Sequence, residues 1–170
     1  ASYEVYTTGS NVGFAASSTN SGYDIGGENA NGVIGTFANN TWNHLAVTRQ
    51  GSVYRGFLNG VQGFTQTTAN TPYSVGTARA LTIASNYQNS YGVLADIAST
   101  FGGYISNFRM VKGTAVYTSN FTVPTAPLSN ITNTVLLLNT YSNNFLLDSS
   151  TYGYVPTLNN VVANSGNITP

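Results

Sequence analysis

TWNHLAVTRQGSVYRGFLNG, Thr41 to Gly60, reads as a β-hairpin. Trp42, Leu45, Ala46 and Val47 form one apolar run, and Val53, Tyr54, Phe57 and Leu58 form a second. Gln50-Gly51-Ser52 lies between them, and glycine supplies the positive φ of a tight turn. Asn59-Gly60 closes the second run with the strongest two-residue hairpin signal, and Val61 to Gln66 starts a third. Three antiparallel strands joined by tight turns make a meander. Trp42 and Ala46 share one parity, Leu45 and Val47 the other. The first strand is therefore either covered on both faces or shifted in phase by a bulge near Asn43-His44.

Outward from the meander the pattern stays β-like. Ser2 to Thr7 alternates, with Tyr3 and Val5 on one face and Glu4 and Tyr6 on the other. Val12 to Ala16 and Val33 to Phe37 read as strands, with a polar, Gly-rich loop from Ser17 to Asn31 between them. Thr67 to Ala78 reads as a connection, Ala80 to Ala84 as a strand and Ser85 to Gly103 as a long loop. Tyr104 to Val111 is a further strand, and Thr114 to Tyr117 a short strand or turn. Pro124 and Pro127 exclude a central strand between them. Val135 to Asn139, Phe145 to Asp148 and Tyr154 to Val162 supply the last strands. No segment sustains helical spacing; Leu94 to Thr100 is the best candidate and is too short to stand alone. Short β runs separated by turn signals predict an all-β antiparallel sandwich or barrel.

Composition narrows the function. The 170 residues are 41% hydrophobic, enough for one domain with a sizeable core. Charged residues are only 6%, against roughly 25% in an ordinary domain. Asn, Thr, Ser and Gly must therefore build the polar surface. Five basic and five acidic residues balance, leaving no basic footprint for nucleic acid and no polybasic segment for an anionic membrane. The longest apolar runs, Val135 to Leu138 and Phe145 to Leu147, fall far short of the ~20 residues of a spanning helix. There is no cysteine, hence no disulfide framework.

The phrases TWNHLAVTR and YRGFLNG, then LTIAS, then GGYISNFRMVKGTAVYTSNFTVPTAPL, resemble the laminin-G-like, or concanavalin A-like, jelly-roll superfamily. The variant is similar to domains that recur in bacteriophage tail-fibre and other virion proteins, often in tandem. The resemblance covers roughly Tyr3 to Leu138, and Gly102 to Leu128 is its more specific part. It implies a β-sandwich jelly roll over residues 1–134. Family members usually open with a run like LLL followed by Asp-Ser-Ser. Here Leu136-Leu137-Leu138 and Asp148-Ser149-Ser150 stand at the other end. Residues 135–170 are then either closing strands of the same sandwich, or the opening of a next copy or a strand exchanged with a neighbour, since an unpaired sheet edge is a template for another strand.

The resemblance implies a lectin-like site more than an enzyme. Glycoside hydrolysis needs two carboxylates flanking the bond. The five acids are Glu4, Asp24, Glu28, Asp96 and Asp148, with no Glu-x-Asp pair on a strand. Asp24 and Glu28 read as solvated loop charges, Asp148 as the cap of a turn before Ser149-Ser150, and His44, the sole histidine, as structural. No catalytic residue is expected. A sugar presents an apolar C–H face and a ring of hydroxyls, so its sites pair an aromatic platform with amides and carboxylates. The loop residues with that chemistry are Asn86, Tyr87, Asn89, Tyr91 and Asp96, joined by Tyr73 and Arg79 from the preceding connection. Laminin-G-like domains often hold one calcium at the rim, and Asp96 and Asp24 are the loop carboxylates available to it.

The expectation is a non-enzymatic virion-surface or fibre module, placed on a virion or otherwise extracellular, that recognises cell-surface glycan. The alternative is a decoration or assembly domain that packs with sister copies or neighbouring virion proteins. Neither reading involves nucleic acid or membrane insertion.

Overall fold

The computed structural model describes residues 3–19, 21–27, 31–74, 81–84, 101–139 and 147–157. Every regular element among them is a strand. The chain divides into two compact units. Residues 1–102 with 117–122 form the first, and residues 103–116 with 123–170 the second.

The first unit is an antiparallel sandwich. One sheet pairs β1 (Tyr3–Thr8) with β2 (Asn11–Ala16), whose other edge is shared by β3 (Ile25–Gly26) and β4 (Val33–Thr36). The other is the meander of β5 (Leu45–Gln50), β6 (Val53–Leu58) and β7 (Val61–Thr67). Its turns have the anticipated chemistry. Gly51 lies at φ 59° in a two-residue turn between the paired Gln50 and Val53. Asn59 and Gly60 both take positive φ, 52° and 79°, which is the mirror-image turn whose twist matches a hairpin. The Asn59 side-chain carbonyl also accepts from the His44 backbone N–H at 2.8 Å.

Val12, Phe14 and Ala16 of β2, with Ile25 and Ile34, meet Tyr54 and Phe64 of the meander in one buried cluster. The Phe14 ring centroid lies 6.2 Å from those of both Tyr54 and Phe64. The far face of the meander is covered too. Phe57, fully buried, meets Tyr117 and Phe121 edge-on, and those two rings stack at 3.5 Å with His44 against both. His44 thus packs against these rings, in keeping with the structural role expected of it. Covering on both faces is why the meander is apolar on both parities.

The second unit is built on a two-stranded sheet, β8 (Phe108–Val111) against β9 (Thr134–Leu138). Leu137 of β9 is 1% exposed. Residues 147–157 fold back on β9 through an antiparallel bridge from Asp148 to Leu138 and a bond from the Ser149 N–H to the Leu137 carbonyl at 2.8 Å.

Several strand expectations fail for local reasons. β3 falls inside the expected loop and is too short to leave a period. The first meander strand starts at Leu45, so Trp42, which is exposed, precedes it. The bulge in the meander is at Gly56/Phe57 and not near His44. Residues 81–84 form no strand, and Ala84 at their end turns left-handed at φ 66°. The strand expected from Tyr104 begins only at Phe108, after Asn107 at φ 55°. Thr114 to Tyr117 is not a strand, and neither are residues 154–157. In β1 the expected alternation is present: Glu4 and Tyr6 are half-buried, while Tyr3 and Val5 are exposed.

Candidate functional site

Two of the residues expected at a site lie at one rim of the first unit. Asp24 stands just before β3, and Tyr73 lies in the connection after β7. Antiparallel pairing of β2 with β3 returns the chain so that Asp24 faces Ser18. Asp24 Oδ1 accepts from the Ser18 backbone N–H at 2.8 Å, and Oδ2 accepts from the Ser18 hydroxyl. The Asn70 amide donates to the same Oδ2 at 2.8 Å, tying the connection after β7 to the loop before β3. Tyr73 joins through its backbone, its N–H donating to the Ser17 carbonyl at 2.7 Å. Its ring is 44% exposed.

The rim is anchored from below. Gln66 of β7 donates to the Asp24 carbonyl at 3.2 Å and accepts from the Gly26 N–H. The Tyr54 hydroxyl donates to the Asn70 carbonyl at 2.9 Å, and the Arg49 guanidinium lies 5.0 Å from the Tyr54 ring centroid. Burial pushes the Tyr54 phenol up. The Ser18 hydroxyl and N–H hold the Asp24 carboxyl below its ordinary range, so it is a charged acceptor at neutral pH. An ionised carboxylate offers about four lone-pair sites. Among the described residues this one accepts from Ser18 and Asn70, and Asp24 is exposed to solvent. A carboxylate, an amide and a serine hydroxyl thus meet at one edge, with the backbone of the exposed Tyr73 tied to the adjoining Ser17.

The rest of the expected set falls elsewhere. Asn86, Tyr87, Asn89, Tyr91, Asp96 and Arg79, with Glu28, lie outside the described residues. Of the two carboxylates assigned to calcium, Asp24 already serves Ser18 and Asn70, and Asp96 is among those outside. No group of three His, Asp or Glu side chains gathers among the described residues. Sequence reasoning did not select Ser18, Gln66 or Asn70. Asn70, three residues before Tyr73 in the same polar connection, was the one with a signal.

Asp148 occupies a different setting in the second unit. It is 3% exposed and accepts four hydrogen bonds. Oδ1 takes the Leu137 and Ser150 N–H groups at 2.8 and 2.9 Å; Oδ2 takes the Ser150 hydroxyl and the Tyr154 N–H at 2.7 and 3.0 Å. The expected turn cap is there, in its bonds to Ser150. The bonds to Leu137 and Tyr154 make it a fastener between β9 and the segment that follows.

Comparison with known proteins agrees with the architecture. No curated protein and no solved structure gave a significant match. A laminin-G-type family model, described as the concanavalin A-like lectin/glucanases superfamily, matches residues 2–127. The matched stretch is well over half of the chain and contains both sheets of the sandwich. The chain belongs to the concanavalin A-like lectin/glucanases superfamily.

Proposed function

We propose that the chain is a non-enzymatic carbohydrate-recognition module of a virion surface or fibre, exposed to the extracellular medium and directed at host-surface glycan. The observation that carries the reading is the rim where Tyr73, Asp24, Ser18 and Asn70 meet. An exposed tyrosine on the same connection as Asn70 and a charged acceptor at Asp24 supply the two chemistries that a pyranose presents. Among the described residues Asp24 has Ser18 and Asn70 as its partners rather than a second acid, which favours binding over hydrolysis.

A glycan array with the folded chain, presented multivalently in calcium and again in chelator, tests this. Binding to a narrow set of glycans is expected. Asp24→Ala and Tyr73→Ala should each weaken it about tenfold, since each removes one strong contact. Loss of binding in chelator would add an ion to the site. No binding in either condition would end the carbohydrate reading.

A structural role is the second reading, and one observation favours it. Tyr3 and Val5 of β1 lie opposite Ala16 and Phe14 of β2, on the face that elsewhere forms the core, yet are 43% and 47% exposed. Apolar residues left open on a core-forming face suit contact with a sister copy.

A further inference from the structure

The segment 147–157 lies beyond the stretch matched by the family and carries an unusual pair. Tyr152 and Tyr154 are 60% and 56% exposed. Their rings are nonetheless parallel to within 1°, with centroids 5.8 Å apart. Two exposed side chains on an untethered loop would lose rotamer entropy in holding such an alignment. Here the backbone beneath them is tethered. The Tyr154 N–H donates to the buried Asp148 carboxylate, and the Tyr152 N–H donates to the Ser150 hydroxyl at 3.2 Å, which itself donates to Asp148. Gly153 between them stands at φ 60° with no atom within 4 Å of its missing Cβ. Its glycine answers a backbone need, not a shortage of space.

The surroundings define what such a surface would take. Residues 147–157 contain no Lys or Arg, and their single acid, Asp148, is buried. Ser149, Thr151 and Thr157 are exposed and bring hydroxyls, while Val155 is 88% exposed. A strand of nucleic acid stacks on aromatics too, but requires basic groups for its phosphates. The outward face of a stacked aromatic pair, among hydroxyls and without an exposed charged residue in the segment, fits the C–H face of a neutral sugar ring.

We propose that Tyr152 and Tyr154 form a stacking platform for a neutral oligosaccharide, a second carbohydrate site carried by the second unit. The proposal rests on the carbohydrate reading above and extends it to a site that does not use the Asp24 rim.

The test is calorimetric titration of the full chain with cellohexaose, maltohexaose and chitohexaose. At least one should bind the wild type. Tyr152→Ala/Tyr154→Ala should weaken that binding about tenfold, and Tyr152→Phe/Tyr154→Phe should keep it, because the ring faces make the contact. Near-UV circular dichroism and the melting temperature verify that each variant is folded. Wild-type affinity in the folded double-Ala variant would overturn the platform and leave the carbohydrate reading standing. Failure of the wild type to bind any of the three, together with a blank glycan array, would overturn both. Tyrosine-dependent self-association without sugar binding would likewise overturn the platform.

Discussion

Asp148→Ala is expected to release residues 147–157 from β9 and to destabilise the second unit by about 3 kcal/mol. The buried Leu137 N–H would lose its acceptor, and an unsatisfied buried donor costs about 1–3 kcal/mol. The Ser150 and Tyr154 N–H groups lose theirs as well. Asp148→Asn should fall between, because an amide offers one acceptor oxygen and turns a donor toward N–H groups. Chymotryptic cleavage after Tyr152 and Tyr154, followed against time, reads the release directly. Cleavage of Asp148→Ala no faster than wild type would contradict the fastening role.

The same carboxylate sets a pH dependence. Burial raises its pKa, but the N–H groups of Leu137 and Ser150, the Ser150 hydroxyl and the Tyr154 N–H outweigh that, so the net position is below the ordinary 3.8. The unfolded chain therefore takes up the proton first on acidification. The stabilisation is complete above the ordinary value and is lost as pH falls through the lower folded one. Wild type should loosen at this point below about pH 4, and Asp148→Asn should show no such transition there. The Leu137 and Tyr154 amide resonances, followed from pH 6 downward, report it.

Gly63→Ala is the second large effect. A Cβ at Gly63 would run into the Ile34 carbonyl oxygen of β4, with the carbonyl carbon at 2.7 Å. The obstacle is backbone, and no rotamer relieves it. β4 would have to move off β7, taking Ile34, 3% exposed, out of the cluster it shares with Phe14, Tyr54 and Phe64. Overpacking ordinarily costs about 1–3 kcal/mol, and displacing a strand belongs at or above the top of that range. Gly22→Ala is the control: nothing lies within 4 Å of its Cβ position, and its change should stay within about 0.5 kcal/mol. Equal urea midpoints for the two variants would refute the close approach. Gly63 is itself exposed, so burial alone would not flag it.

What could be read from the sequence was what local chemistry decides. Asn59-Gly60 and Gly51 gave their turns because positive φ there has few alternatives. The apolar runs of β2, β6 and β9 gave strands because they are buried enough to impose a pattern. Residues 81–84 and Tyr104 to Asn107 carried the same pattern, yet form no strand, and each stretch ends on a left-handed residue, Ala84 or Asn107. An apolar pattern does not encode that choice. The rim was half legible. Asp24 and Tyr73 have the right chemistry on sight, whereas their link through Asn70 and Ser17 spans dozens of residues and exists only once β2, β3 and β7 are placed. Asp148 followed the same division. Its bonds to Ser150 are a local turn, and those to Leu137 and Tyr154 are tertiary.

The two-residue turns of the meander also bear on the order in which the molecule assembles. β5, β6 and β7 are neighbours in sequence and in space, so their ladder closes with almost no loop entropy. It can form as soon as Thr67 has left the ribosome. Among the described residues β8 has no such neighbour. Its partner begins at Thr134, and the Asp148 fastening comes later still. During synthesis the meander should therefore be an early nucleus, while Phe108–Val111 waits as an unpaired apolar strand, and that interval is when a nascent copy is most open to pairing with the wrong neighbour.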